Sequence, residues 1–112
     1  KIYSITDSGK QHFFDWVNTP MYIQSSKNPE LAKLYFMGFS AEENRRKILE
    51  EHISQLKEHY AALDIICKDG ENINIPDEFR DIGFYQLAAA RYGRDFMRFN
   101  IEWYEKLLDG EA

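Results

Sequence analysis

The stretch DEFRDIGFYQLAAARYGRDFMRFNIEWYEKLL, residues 77–108, decides the fold that we expect for this chain. It follows a turn and loop that begin near Lys68, and it predicts one long helix that begins near Asp77 or Glu78 and ends near Leu108. At 1.5 Å per residue this helix would be roughly 45 Å long. A compact domain of 112 residues does not need a helix of that length, so the helix should reach beyond its own core.

The apolar residues of this helix form two adjacent stripes when they are placed at intervals of about 100°. The first stripe comprises Tyr85, Ala89, Tyr92, Phe96, Phe99, Trp103 and Leu107, and the second comprises Ala90, Gly93, Met97, Ile101, Tyr104 and Leu108. Together they cover about half of the circumference, whereas a helix packed on one neighbour shows a stripe of only about 100°. Two surfaces must therefore cover the helix, and the economical candidate for the second surface is another copy of the chain.

A homodimer interface is therefore predicted on this helix. Small residues at its middle would let another helix approach closely, and an amide within an interface can fix the register of two helices at some cost in stability. The predicted interface residues are Tyr85, Ala89, Ala90, Gly93, Met97, Asn100, Ile101, Tyr104 and Leu108.

The polar residues of the same helix are interpreted as structural or solvent-exposed. Gln86 and Asn100 fall inside the apolar arc, and each alone is best interpreted as a hydrogen-bonded core residue or a partly exposed one. On the opposite face the charges alternate in sign at steps of four, three and four, as is typical of a salt-bridged, solvated face rather than a DNA-binding stripe: Arg91, Asp95, Arg98 and Glu102.

The preceding sequence predicts three further helices. The first runs from Asp7 to Val17 with Thr6-Asp7 at its N-terminus, and a short second one starts at Pro29 behind the N-cap Asn28 and is closed by Gly38. Ser40 and Glu43 match a capping box that starts a long third helix ending near Lys68. The third helix has one apolar face, formed by Leu49, Ile53, Leu56, Tyr60, Leu63 and Cys67.

Composition narrows the classes of function. The net charge is −5, which argues against this stretch alone gripping a phosphate backbone, because non-specific nucleic-acid affinity comes largely from clustered Lys and Arg. The single Cys67 excludes an internal disulfide. No apolar run approaches the roughly 20 residues of a membrane span, and no signal-peptide pattern occurs, so we expect a cytoplasmic protein without a membrane partner.

Enzymatic and metal-dependent interpretations find little support in the sequence. His52 and His59 lie seven residues apart on the third helix beside glutamates, but neither H-E-x-x-H nor the Glu-x-x-His of di-iron bundles occurs. Cys67 lacks a neighbourhood that would activate a thiol, so it is interpreted as a small buried hydrophobe. No phosphate-binding loop is present, and we expect neither catalysis nor a bound metal or cofactor.

The N-terminal residues carry a resemblance to a known family. Tyr3 and Ile5 alternate as in a short strand, and the order basic residue, aromatic, aliphatic, Thr and Gly is matched by Lys1, Tyr3, Ile5, Thr6 and Gly9. This order resembles the junction in PadR-family transcriptional regulators between the wing of a winged helix-turn-helix domain and the carboxy-terminal helical domain. The remainder is similar to that helical domain in the order of its elements, with the aromatic pair Tyr35-Phe36 and Trp103 near the end.

The resemblance implies an all-α effector and dimerisation domain at residues 7–112, preceded at residues 1–6 by the remnant of a wing strand. In such regulators the winged-helix domain of the full-length protein binds operator DNA, and the helical domain dimerises the protein. In some members the helical domain also helps to form an aromatic-lined effector site. A homodimer, operator DNA and a small aromatic effector are the partners that the resemblance implies.

The aromatic residues allow two interpretations. A flat, hydrophobic effector would find a candidate lining in Phe13, Trp16, Phe96, Phe99 and Trp103. More often such stripes belong to a core. The competing function for the whole chain is a stand-alone helical ligand-binding or metal-binding module unrelated to transcription.

The first testable prediction is that this stretch alone does not bind operator DNA, because its charge is acidic and it contains no recognition helix. A gel-shift titration at moderate salt should show no sequence-specific complex. Tight and sequence-selective binding by this chain alone would contradict the assignment.

Overall fold

The computed structural model describes residues 4–21 and 28–110, and all of the regular secondary structure in those residues is helical. Four α-helices are connected by loops and two short 3₁₀ turns: α1 at Asp7–Val17, α2 at Pro29–Tyr35, a turn at Met37–Phe39, α3 at Glu42–Glu71, a turn at Asp77–Phe79, and α4 at Arg80–Leu108. The predicted all-α class and the long last helix are confirmed.

The predicted strand at the N-terminus is not supported. Residues 4–6 have no regular secondary structure, and residues 1–3 lie outside the described residues. An isolated strand would leave its backbone hydrogen bonds unsatisfied, and no strand that could pair with it is present in the described ranges. Thr6 does act as the predicted N-cap of α1, because its Oγ1 accepts a hydrogen bond from the Gly9 N–H at 3.0 Å.

The chain divides into two compact units, Lys1–Ala32 and Lys33–Ala112. In the first unit α1 has no buried residue, and its apolar side chains are all more than half exposed: Phe13, Phe14, Trp16 and Val17. The predicted cap of α2 is also present, since Asn28 Oδ1 accepts hydrogen bonds from the N–H groups of Glu30 and Leu31. The predicted boundary between residues 1–6 and 7–112 stays a prediction.

The connection from α2 to α3 differs from the prediction. α2 ends at Tyr35, and Gly38 lies within the following 3₁₀ turn instead of closing the helix. The capping box of Ser40 and Glu43 is wrong, because the residue at the N-cap of α3 is Ala41 and no side chain caps that helix. Ser40 ends the 3₁₀ turn, so its hydroxyl is one residue too early to reach the N3 amide.

The second unit is built around an antiparallel hairpin of α3 and α4. Later residues of α3 pair with earlier residues of α4, from Lys57–Glu105 at 3.5 Å to Glu71–Arg91 at 3.0 Å. The buried cluster lies away from the connecting loop and consists of Leu49, Ile53, Leu56 and Tyr104, with Leu34, Met97, Ile101, Leu107 and Leu108 packed against it. The predicted apolar face of α3 is confirmed: Cys67 is also buried, and Tyr60 and Leu63 are half-buried.

A charged group of side chains connects α3 to α4 near the middle of the hairpin. Asp64 of α3 contacts Lys68 of the same helix at 2.7 Å and Arg94 of α4 at 3.5 Å, and Arg94 Nε also contacts Asp95 at 3.1 Å. The side chains of Asp64 and Arg94 are only about one fifth exposed. Their pairing favours one register of the two helices, since sliding α4 by one turn would leave a partly desolvated charge without its partner.

The pKa of Asp64 is held below its ordinary value by this group. The largest cause is the hydrogen bond from the Lys68 ammonium, and the charges of Lys68 and Arg94 act in the same direction. A carboxyl whose pKa is depressed on folding stabilises the folded state above its unfolded pKa of about 4. That stabilisation is lost as the pH falls through the folded-state pKa.

We therefore expect Asp64→Asn to lower the urea unfolding midpoint at pH 7, and the difference from the unmodified protein to shrink as the pH falls below about 4. Urea titrations followed by circular dichroism between pH 7 and pH 2.5 would measure this difference in midpoint. Glu58→Gln is the matched control, because Glu58 is exposed and makes no ion pair within the described residues. A difference for Asp64→Asn that persists unchanged at low pH would contradict the assignment.

Candidate functional site

The exposed face of α4 is a row of aromatic side chains. Tyr85, Tyr92, Phe96, Phe99 and Trp103, hereafter the aromatic stripe, are between 36% and 73% exposed. Successive members are three, four or seven residues apart, so they follow one side of the helix for about 27 Å. Within the stripe the rings of Tyr92 and Phe96 stack with their centroids 6.2 Å apart and their planes nearly parallel. The stripe is thus a row of exposed rings along one side of α4.

The second predicted stripe packs inside the chain. Tyr104 is 5% exposed in the core, and Met97, Ile101 and Leu108 pack against that core. Gly93 belongs to the same contact, because a Cβ at this position would lie 3.7 Å from Leu63 Cδ1 of α3. These five residues therefore contact the rest of their own chain, and their assignment to a dimer interface stays a prediction.

The two stripes of α4 are both apolar and adjacent. A hydrophobic pattern shows which residues avoid water, but it does not show which neighbour covers them. The small size of Gly93 and Ala90 predicts the close approach of another helix. The helix that lies against Gly93 is α3 of the same chain.

The remaining interface residues have separate outcomes. Tyr85 and Ala89 are exposed beside or within the aromatic stripe, so they remain available to a partner. Ala90 is half-buried on the side of α4 that faces α3. Asn100 is half-buried, and its Nδ2 donates a hydrogen bond to the Phe96 carbonyl of its own helix at 2.7 Å. An amide bonded in this way does not need a second helix to satisfy that donor.

The polar face of α4 has one ion pair between two of its four predicted residues and another with α3. Arg98 contacts Asp95 at 3.3 Å, and its guanidinium also lies 5.7 Å from the centre of the Tyr60 ring. Arg91 pairs with Glu71 of α3, and Glu102 is exposed. Most of these side chains are about half exposed, so each pair contributes little to stability. This face separates the aromatic stripe from the α3 contact on one side of α4.

The residues of the predicted effector pocket belong to different units. Phe13 and Trp16 are in the first unit, where their ring centroids are 6.4 Å apart. Phe96, Phe99 and Trp103 are in the second unit, and all three belong to the aromatic stripe. The pocket that would combine the two groups stays a prediction. The helical periodicity predicts an apolar stripe that contains Tyr92, Phe96, Phe99 and Trp103, but the predicted interface does not include these four rings.

The described residues contain neither a group of three metal-ligating side chains nor a membrane-spanning helix. No three side chains among His, Cys, Asp and Glu gather as metal ligands in residues 4–21 and 28–110. Within the same ranges, no helix combines the length and the apolar character needed to cross a bilayer. The feature that does require an explanation is the exposed ring surface, because monomeric proteins rarely leave contiguous apolar patches of more than a few hundred Å² in water.

Comparison with known proteins gives one match. Residues 26–110 match the family model described as the virulence activator alpha C-terminal domain. The match covers most of the chain, including all of α2, α3 and α4. No curated protein and no solved structure gives a significant match.

Proposed function

The chain belongs to the family of virulence activator alpha C-terminal domains, and from this premise we propose that it dimerises a DNA-binding transcription regulator of the PadR type. The family indicates a domain of a transcription regulator. The finer assignment rests on one observation, which is that the aromatic stripe lies exposed on the side of α4 away from α3. In this proposal a second copy of the chain covers the stripe.

The area of the stripe is sufficient for a stable dimer. An aromatic side chain carries about 150–250 Å² of surface, so five rings at these exposures present about 600 Å² per chain. Two copies meeting through this surface would bury about 1,200 Å² in total, which reaches the lower range of specific interfaces. Charged residues flank the stripe, with Asp95 and Arg98 exposed beside it, as expected for the polar rim of an interface.

Dimerisation also provides the two-fold arrangement that an operator-binding regulator requires. A two-fold axis presents two identical DNA-binding domains to half-sites about one helical turn apart. In this proposal the acidic helical domain makes no DNA contact itself, and the winged-helix domain of the full-length protein binds the operator. The helical domain sets the distance between the two DNA-binding domains.

We expect Phe96→Asp and Phe99→Asp to dissociate the dimer, because each would place a carboxylate in a desolvated contact without a partner. Sedimentation velocity at micromolar concentration should give a dimer for the unmodified chain and a monomer for both variants. The circular dichroism spectrum should stay helical, since both residues are at least 47% exposed within the chain. In the full-length protein, the same variants should weaken operator binding in a gel shift.

Two controls distinguish this interface from other roles of α4. Glu102→Lys changes a charge on the solvated face and should leave the dimer intact. Met97→Asp disrupts the contact with α3 and should lower the unfolding midpoint of the hairpin itself. A monomeric unmodified chain would refute dimerisation through the stripe.

A further inference from the structure

A second apolar surface lies at the end of the hairpin where the loop joins α3 to α4. This hairpin groove has a volume of about 520 Å³ and is lined mainly by aliphatic side chains and one ring: Ile66, Ile73, Ile75, Phe79, Ile82 and Leu87. Its volume lies within the range of about 300–1,000 Å³ found for small-molecule sites. Neither the aromatic stripe nor the charged group at Asp64 contributes to its lining.

Two glycines, which have no Cβ, allow side chains that line the groove to pack directly against helix backbone. A Cβ at Gly83 of α4 would overlap Ile75 Cδ1, and a Cβ at Gly70 of α3 would lie 2.9 Å from Leu87 Cδ1. Both glycines line the groove. The loop side chain Ile75 is therefore seated against α4, and Leu87 is seated against α3, so the groove is a packed feature of the hairpin end.

The polar lining of the groove is acidic. Asp69 and Gln86 are polar residues of its lining, which contains no Lys or Arg. The nearest cations in sequence are already paired, Lys68 with Asp64 and Arg91 with Glu71, whereas Asp69 makes no ion pair within the described residues. An unpaired carboxylate beside an aliphatic surface favours a ligand that joins an apolar body to a positive charge.

From this lining we propose that the hairpin groove binds a small amphipathic cation, with its hydrocarbon part against the isoleucines and its ammonium group toward Asp69. The Gln86 amide offers a second polar contact at the same site. The binding is non-covalent and requires no other reactant.

The geometry of α4 separates this ligand from the proposed dimer partner. At 100° per residue, Leu87 lies about 150° around α4 from the centre of the aromatic stripe and Gln86 about 110°, whereas Ile82 lies about 70° from it. A second copy seated on the stripe therefore does not need to cover Gln86 or Leu87. The inference goes beyond the proposed dimerisation and does not depend on it, so a dimer-breaking variant such as Phe99→Asp should still bind the ligand.

The test compares three ligands of equal chain length: octylammonium and octanoate below their micelle concentrations, and octanol below its solubility limit in water. Titrations followed by ¹⁵N–¹H correlation spectra of the unmodified chain should give saturable shifts at the amides of Gly70 and Gly83. Octylammonium should bind most tightly, with octanoate weaker by about fivefold or more, as expected when an exposed ion pair is replaced by like charges.

Two variants locate the contacts. Asp69→Asn should remove the preference for octylammonium over octanol, whereas Asp109→Asn, beyond the far end of α4, should preserve it. Ile73→Ser should weaken all three ligands, and Ile73 is exposed enough for the fold to tolerate the change. Equal binding of the three ligands, an unchanged preference in Asp69→Asn, or saturable shifts confined to the aromatic stripe would overturn the proposal.

Discussion

The packing of α3 against α4 is the contact on which the rest of the second unit depends. Two helices packed as one layer can bury only one face of each, and α4 has apolar residues around about half of its circumference. Met97, Ile101 and Tyr104 occupy the buried face. The apolar rings on the other face remain exposed because α3 covers only one face of α4, and the proposed dimerisation is based on these exposed rings.

The register of that packing determines where the surfaces of the hairpin lie. The Asp64–Arg94 contact lies near the middle, with the buried core toward the N-terminal end of α3 and the C-terminal end of α4, and the loop at the opposite end. At the loop end, Gly70 and Gly83 permit side chains to rest on backbone and shape the hairpin groove. The stripe presents aromatic rings and the groove presents aliphatic side chains with a carboxylate, so the two surfaces suit partners of different chemistry.

Local rules succeeded where a short segment determines its own conformation. Thr6 and Asn28 cap α1 and α2 as predicted, because a side-chain oxygen beside free backbone N–H groups acts within a few residues. The same reasoning failed at Ser40, where the preceding 3₁₀ turn displaced the start of α3 by one residue. The strand alternation of Tyr3 and Ile5 likewise predicted a conformation that needs a neighbour, and residues 4–6 do not adopt it.

The sequence by itself determined the all-helical class, the length of α4, the inward face of α3 and the excess of apolar surface on α4. These properties follow from periodicity and from local hydrogen bonding, which act along the chain. Only the tertiary structure decided which apolar arc of α4 faces α3. Both arcs are apolar. The arc that packs on α3 is selected by the fit of Leu63 against Gly93 and by the ion pair between Arg94 and Asp64. Each of these contacts joins residues 30 positions apart in the sequence.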